Sequence, residues 1–303
     1  KTWWDETTPT ATTFRIDNAA RVNSNGETYL AYVFAGGASD EPGSARSVDF
    51  DGNDYLVVPN NPSKDFYFGT GDFTVEGWVN PAAGSTYGEI IGAFHQNNPY
   101  HGWLISLNFS GSAGRLSFYQ SSPGGSTTTN GDVIVLPGQW CHFAVTRSGN
   151  TFRMFQNGAE VKQWTAAYEV GDPDGNIHIG ADTNPGPSRI MTGKLSNIRI
   201  VKGTAVYTTS FRPPTQGLTN ITNTVLLCCN KNTVTGSTVT PGTITTIGNP
   251  TSSIDTPFDD PEGFKFGKGG DQSIIKTGSF TGNGASLGPE INLGFEPQWV
   301  LVK

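Results

Sequence analysis

The chain is 303 residues long, with 39 glycines, 19 prolines and a formal charge of −7. Charged residues make up 15% of it, against about 25% in an average globular protein. Lys and Arg nowhere cluster, so the counterion-releasing surface of a nucleic-acid binder is excluded, and no apolar run approaches the roughly 18–20 residues that cross a bilayer.

An aromatic content of 11% argues for folded structure despite the glycine, and the length suits about two domains. The chain starts at Lys1 with no signal-peptide pattern behind it, and reads as a processed product or a piece of something longer.

Zone 1–41 holds two apolar runs, at 14–16 and 28–34. The second is apolar on both faces (Tyr29, Ala31, Val33 against Leu30, Tyr32, Phe34) and reads as an interior strand needing a partner on each side. Zone 44–230 is a dense array of short runs with a period of two, broken by Gly, Asn, Asp and Pro. Residues 73–79 alternate and stop at Asn80-Pro81. Residues 140–147 set Phe143 and Val145 against His142, Ala144 and Thr146. Asn157-Gly158 then separates 151–156 from 160–164 and predicts a type I′ hairpin, because both central residues must take positive φ. Zone 231–262 is rich in Thr, Gly and Pro and reads as an extended linker or an ordered loop. Zone 263–303 regains its aromatics and ends on the apolar run 299–302. No segment carries a helical period over three turns, so the pattern predicts an all-β chain built on an antiparallel sandwich or barrel. The three cysteines, Cys141 and the adjacent Cys228 and Cys229, form neither a disulfide framework nor a zinc pattern and read as buried small hydrophobes.

Several motifs of the middle zone occur in the order of a known family: Asp49-Phe50-Asp51-Gly52 within 47–56, Glu76-Gly77-Trp78 within 73–79, Trp140-Cys141-His142-Phe143, Asn157-Gly158, Ile177-His178-Ile179-Gly180, and Gly193-Lys194-Leu195 within 193–200. In these the chain resembles the laminin-G-like, concanavalin-A-like jelly rolls. The resemblance implies an antiparallel β-sandwich over 44–230. The tail Tyr207-Thr208-Thr209-Ser210-Phe211-Arg212-Pro213-Pro214 is similar to the variant found in bacteriophage tail and fibre proteins. Residues 25–35 resemble the end, and Gly263-Phe264-Lys265-Phe266-Gly267 with 281–284 and 294–300 the beginning, of a repeated β module of marine-phage structural proteins. Zones 1–41 and 263–303 are therefore expected to be the closing and opening halves of one smaller β module, with the jelly roll inserted between them.

The same superfamily includes glycoside hydrolases, which place two carboxylates on one face of a strand. Here Glu76 stands alone on its strand, Asp172 and Asp174 lie in a turn, and no enzyme activity is expected. Asp49-Phe50-Asp51-Gly52-Asn53-Asp54 reads as a tight hairpin turn rather than a calcium loop. No cofactor is expected; if calcium binds, the resemblance places it at Asp182 and Asn184 in a strand-end loop. The richest loop for a glycan is 95–103, where His95, Asn97, Tyr100, His101 and Trp103 combine an aromatic stacking surface with amide and imidazole groups; the alternative is that Trp103 begins the strand 103–109 and packs in the core, and Trp164, which ends a hairpin arm, reads as either core or rim. His142 reads as structural, held by a strand neighbour.

The resemblance implies a binding and structural module of a virion appendage, a phage tail fibre or comparable surface fibre. Its expected partners are a host-surface glycan or receptor and other virion proteins or copies of itself, with no nucleic acid and no membrane insertion. Its expected location is the virion, otherwise extracellular. A secreted bacterial surface adhesin is the alternative, and a carbohydrate-active enzyme a second, disfavoured one.

Overall fold

The structure is a computed structural model that describes residues 13–15, 23–35, 47–60, 63–83, 88–95, 101–107, 114–173, 175–182, 189–253, 255–258, 275–284, 290–292 and 297–302. The chain divides into two compact units: Gly43–Phe258, and Lys1–Pro42 together with Asp259–Lys303.

In chain order the smaller unit begins with β1 (Thr13–Arg15) and β2 (Thr28–Ala35). The larger unit follows with β3 (Ser47–Asp51), β4 (Tyr55–Val58), β5 (Phe73–Pro81), β6 (Glu89–His95), β7 (His101–Leu107), β8 (Arg115–Ser122) and β9 (Gly125–Ile134). It continues through β10 (Cys141–Ser148), β11 (Thr151–Gln156), β12 (Ala159–Thr165), β13 (Ile177–Ile179), β14 (Thr192–Lys202) and β15 (Thr224–Cys228). The short strands β16 (Ser237–Val239), β17 (Thr245–Ile247) and β18 (Thr251–Ser253) complete it. The smaller unit resumes with β19 (Ile275–Thr281), β20 (Glu290–Asn292) and β21 (Pro297–Val302).

The larger unit is an antiparallel β-sandwich. One sheet has nine strands, in the order β12-β11-β10-β5-β14-β15-β16, with β3 also on β14 and β18 on β3. The other has seven, in the order β17-β4-β13-β6-β7-β8-β9. The period-two pattern decides which side chains meet between them. Phe73, Val75 and Val79 of β5 and Phe143 and Val145 of β10 point inward, onto Trp103, Ile105 and Phe118 of the facing sheet. The aromatic contacts are close, with Phe68 stacked on Phe73 at 4.2 Å and tilted against Trp103 at 5.0 Å.

The β11–β12 hairpin turns at Asn157 (φ +48°) and Gly158 (φ +76°), both in the left-handed region the dipeptide predicts. Gly158 has a second duty. A Cβ there would lie 1.9 Å from the carbonyl oxygen of Phe211, whose N–H donates to Gly158 O at 2.9 Å, so the close approach of the two backbones requires glycine.

That contact belongs to a return segment, 203–222, laid over the outward face of the nine-stranded sheet. Tyr207 and Phe211 stack on each other at 3.6 Å, and Phe211 meets the His142 ring edge-on at 5.5 Å. Thr74 Oγ1 donates to Thr204 O and accepts from Val206 N, while Thr146 Oγ1 donates to Tyr207 O. Beneath this cover, the outward side of β5 carries Glu76, which is fully buried. Glu76 Oε1 accepts from Arg199 Nε at 2.9 Å and Nη2 at 2.5 Å, and Oε2 accepts from Tyr207 Oη at 2.8 Å with His142 Nε2 at 3.4 Å. The pairing is set by register, since Glu76 lies opposite Arg199 on β14. His142 is thus held by the adjacent strand, in accordance with its sequence pattern.

Residues 231–262, read from sequence as a linker, are corrected in their described part. β16 extends the nine-stranded sheet, β17 pairs with β4, and β18 pairs with β3. Side chains fasten the same stretch: Asp54 Oδ1 accepts from Asn249 N at 2.7 Å, and Trp140 Nε1 donates to Asp255 Oδ1 at 3.0 Å. The β-branched threonines fit edge strands as readily as a connector, and composition alone does not separate the two.

In the smaller unit β2 lies between β19 and β21, antiparallel to both, and β1 pairs with β20. Tyr29 is buried and stacked on Phe280 at 5.2 Å.

The Glu76 network has a measurable signature. Burial works to raise the Glu76 pKa, but the His142 hydrogen bond and the Arg199 charge outweigh it and hold the carboxyl below its ordinary value. A depressed folded-state pKa gives stability that is complete above the unfolded value and is lost as pH falls through the acid range. Arg199→Met, which leaves the carboxylate buried without its cation, is expected to cost about 3–5 kcal/mol in denaturant unfolding at neutral pH. A loss below about 1 kcal/mol would show that the network does not hold the cover in place.

Candidate ligand-binding face

The outward face of the seven-stranded sheet differs in character from its counterpart. Trp103, Ile105 and Leu107 of β7 point into the core, so Leu104 and Ser106 point outward. On β8, Leu116 and Phe118 point inward, leaving Ser117 and Tyr119 outward. A register shift on β6 between Glu89 and Ile91 sets Glu89 directly opposite Ser106. Ser106 is in turn opposite Ser117, and Ser117 opposite Asn130 of β9. One row of hydrogen-bonding side chains, Glu89-Ser106-Ser117-Asn130, therefore crosses four strands.

Its burial is unusual for such groups. Glu89 is 2% exposed and Ser106 and Ser117 are fully buried. Ser117 Oγ donates to Asn130 Oδ1 at 2.7 Å. Glu89 Oε2 and Ser106 Oγ, at the other end of the row, have no hydrogen-bond partner. A buried polar atom left unpaired costs about 1–3 kcal/mol, and two of them lie here on adjacent strands. Gly92 makes room for this arrangement: a Cβ there would lie 2.4 Å from Glu89 Oε1 and 2.6 Å from Leu104 Cβ. Burial pushes the Glu89 carboxyl up to about 8, against a weaker opposing pull from Arg189. At neutral pH Glu89 is thus predominantly in the acid form, able to donate as well as accept.

Around the row the cover is uneven, and Leu104 is as fully buried as Ser106 and Ser117. Tyr119 and Asn130 are half-buried and Thr128, opposite Tyr119, is exposed. On the other flank His178 lies opposite Gly92 and meets Tyr55 edge-on at 5.7 Å. At the rim, Arg189 takes a positive φ of +45° and pairs with the Asp182 carboxylate.

The residues singled out by sequence fall differently. Trp103 is a correction: it is fully buried, inward, and its Nε1 donates to Phe66 O at 2.9 Å, so it offers no stacking surface. Trp164 is half-buried. It stacks on Phe152 at 5.1 Å, donates from Nε1 to Tyr168 Oη at 3.0 Å and packs against the core cluster. His101 begins β7, half-buried, with Nε2 unpartnered. His95 pairs through its backbone with His101, and its side chain lies outside the described residues, as do Asn97, Tyr100 and Asn184. Asp182 is described, and its carboxylate pairs with the Arg189 guanidinium. Among the described residues no group of three or more His, Cys, Asp or Glu is disposed to hold a metal.

Sequence reasoning missed Glu89, Ser106, Ser117 and Asn130. The alternation Leu104/Ser106 against Trp103/Ile105/Leu107 was a usable signal for direction. The row itself depends on register across a bulge, which no single strand reveals.

Comparison with known proteins adds the following. Residues 50–205 match the model of the Concanavalin A-like lectin/glucanases superfamily. Mouse pappalysin-1 is 26% identical over 138 residues, which is 37% of this chain and 8% of pappalysin-1. The chain therefore spans a small fraction of that relative. Among solved structures, a native heptameric SAP-like pentraxin from Limulus polyphemus has a TM-score of 0.43 at 13% identity, covering 76% of this chain and 97% of the other. Mouse laminin alpha1 chain domains LG4-5 give 0.39 at 14% identity, covering 56% and 47%. Ruminococcus gnavus IT-sialidase CBM40 bound to alpha2,3 sialyllactose gives 0.42 at 10% identity, covering 54% and 93%. At these scores the structural likenesses carry no functional argument.

Two variants check the geometry. Trp103→Ala is expected to cost about 3–5 kcal/mol of stability, as for loss of a buried Trp; a near-neutral result would return Trp103 to the surface. Glu89 has the opposite pH signature to Glu76. A carboxyl raised to about 8 contributes its stability fully at low pH and loses it progressively as pH rises from the unfolded value to about 8. Glu89→Gln is expected to flatten that decline in urea unfolding measured from about pH 5 to pH 8. An unchanged pH slope would place the carboxyl in water.

Proposed function

We propose that this chain, which belongs to the Concanavalin A-like lectin/glucanases superfamily through residues 50–205, is a non-catalytic glycan-binding and structural segment of a virion appendage, a phage tail fibre or comparable surface fibre. The observation that carries the binding reading is the inequality of the two outward sheet faces. The nine-stranded face is closed by Tyr207, Phe211 and the Glu76–Arg199 pair. The seven-stranded face keeps a cross-strand row of hydroxyl, amide and carboxyl groups with two buried atoms unpaired. Sugar hydroxyls are oriented by convergent polar groups of this kind.

The non-catalytic reading is supported by the carboxylates themselves. Glu89 is the one carboxyl in its row, and Glu76 is committed to Arg199. The fibre reading rests on the motif at 207–214, which packs as the cover of the sandwich, and on the smaller unit being assembled from both ends of the chain. In that arrangement the sandwich is an insertion, so the smaller unit is free to serve as the repeating scaffold.

The test uses the full 303-residue chain, fluorescently labelled, on bacterial cells and on capsular and lipopolysaccharide glycans purified from them. Saturable binding to cells, competed by one purified polysaccharide and without release of reducing sugar, is the expected result. Binding that no polysaccharide competes, or sugar release above a heat-killed control, would overturn the reading.

A further inference from the structure

Independently of the glycan-binding reading, we propose that Cys228 and Cys229 are a thiol–disulfide modification site, which closes to a disulfide between chain neighbours when the protein folds in the presence of oxidised glutathione. The strand pattern shows why these two sulfurs meet. Along β15 the alternation sends Leu226 and Cys228 into the core between the sheets and Leu227 outward, into the cluster with Trp78 and Leu218. Regular alternation would send the next residue, Cys229, outward as well. Instead Cys229 takes φ +57° and returns to the same core, with both cysteines buried and their sulfurs 3.9 Å apart.

The departure is held from outside the pair. Cys229 O accepts from Asn197 N at 3.1 Å, and Asn197 is itself at φ +52°, inside the irregularity of β14 between Ser196 and Arg199. Asn197 Oδ1 in turn accepts from Leu218 N of the return segment at 2.8 Å. Asparagine visits left-handed backbone readily, whereas cysteine does so at a cost, so Cys229 is the anomalous member of the two. Cα atoms joined by a trans peptide are about 3.8 Å apart, short of the roughly 4.4–6.8 Å usual for a disulfide. Neighbouring cysteines in a regular strand also point apart, so they bridge only where the backbone has left the strand conformation. Cys229 supplies that departure.

Cys141 is not an alternative partner. It lies on β10, separated from β15 by β5 and β14, which amounts to three strand spacings, or about 14 Å. Cysteines with Cα atoms more than about 7 Å apart are not bridged without moving the backbone. The Cys141 sulfur is instead directed to His142 O at 3.5 Å.

The chemistry balances in two exchanges. The thiolate of one cysteine attacks a sulfur of oxidised glutathione, forming a mixed disulfide and releasing one glutathione thiolate. The neighbouring thiolate attacks the protein-side sulfur, forms the Cys228–Cys229 bond and releases the second. The protein loses two electrons and two protons, and one glutathione disulfide becomes two glutathione thiols. In the finished sandwich this route is blocked. Both residues are buried, and the Cys228 thiol is pushed well above its ordinary value by its hydrogen bond with Cys229 and by burial. The bond is therefore made before the core closes around it.

The full chain is refolded from urea with either oxidised glutathione or dithiothreitol, then unfolded, alkylated with iodoacetamide, digested and read by mass spectrometry. From dithiothreitol all three cysteines are expected to be alkylated. From glutathione only Cys141 is expected to be, while the peptide holding Cys228 and Cys229 is unalkylated and lighter by two hydrogens. Cys141→Ser is expected to leave that peptide's mass unchanged, and the oxidised chain is expected to melt as the reduced one does. Chain folded first and then moved to oxidised glutathione is expected to keep its thiols over the time in which the refolding chain closes. Three alkylated cysteines after refolding in glutathione, a glutathione adduct as the end product at either residue, or a link to Cys141 or to a second chain each overturns the proposal. So does closure confined to chain that no longer melts as the reduced form does. Equally fast closure in the folded chain refutes the order of events, because it shows that the core does not shield the pair.

Discussion

Side chains on a strand point alternately to two faces, so each sheet of a sandwich has an outward face to dispose of once the core is filled. This chain meets that constraint in two ways. Behind the nine-stranded sheet the chain folds back on itself over residues 203–222, and the outward groups of β5, β10 and β14 become a second, smaller interior. An interior of that kind must satisfy every charge it encloses. Glu76 does so by taking Arg199, Tyr207 and His142 from three different elements, and Arg199 Nη1 donates to Thr219 O at 2.9 Å. Such an ion pair adds little net stability over an apolar substitute, but it fixes which cover segment lies where.

The seven-stranded sheet has no such return segment among the described residues, and its outward polar groups remain unmatched at one end of the row. The two glutamates illustrate the difference. Both are buried, yet one is held ionised by a guanidinium and the other is driven to its acid form. Buried charge without a dedicated counter-ion neutralises itself, and the result is a hydrogen-bond donor where an acceptor would be expected. The glycan reading draws its force from that contrast between faces rather than from any single residue.

The edges of the sheets follow a related logic. An unpaired strand edge invites association with another chain, and polar, short or charged edge strands blunt it. Here the edges are β16 and β17, three residues each, β9 with its exposed Ser126, Thr127 and Thr128, and β12 with Glu160 and Lys162. The Thr-rich stretch taken from sequence as a connector supplies two of these edges and the strand that caps β3. Threonine is suited to the task, since it favours extended backbone yet presents a hydroxyl to water.

The sequence by itself determined what depends on near neighbours. The period of two made the chain all-β, Asn157-Gly158 specified a hairpin because only such residues take paired positive φ cheaply, and the stacked Tyr207 and Phe211 stood out as a motif before their place was visible. Even the inward direction of Trp103 was readable from its alternation with Leu104, although its neighbours His101 and Tyr100 invited a ligand reading. What only the tertiary structure decided was pairing. Glu89, Ser106, Ser117 and Asn130 are separated by loops in the chain and become one row through register and one bulge. Glu89 and Glu76 are the same residue type on similar strands, and what separates their protonation is which cation the fold brings within reach. Side-chain direction is a local property of the backbone, whereas partnership is a sum over strands that meet only when the sheet closes.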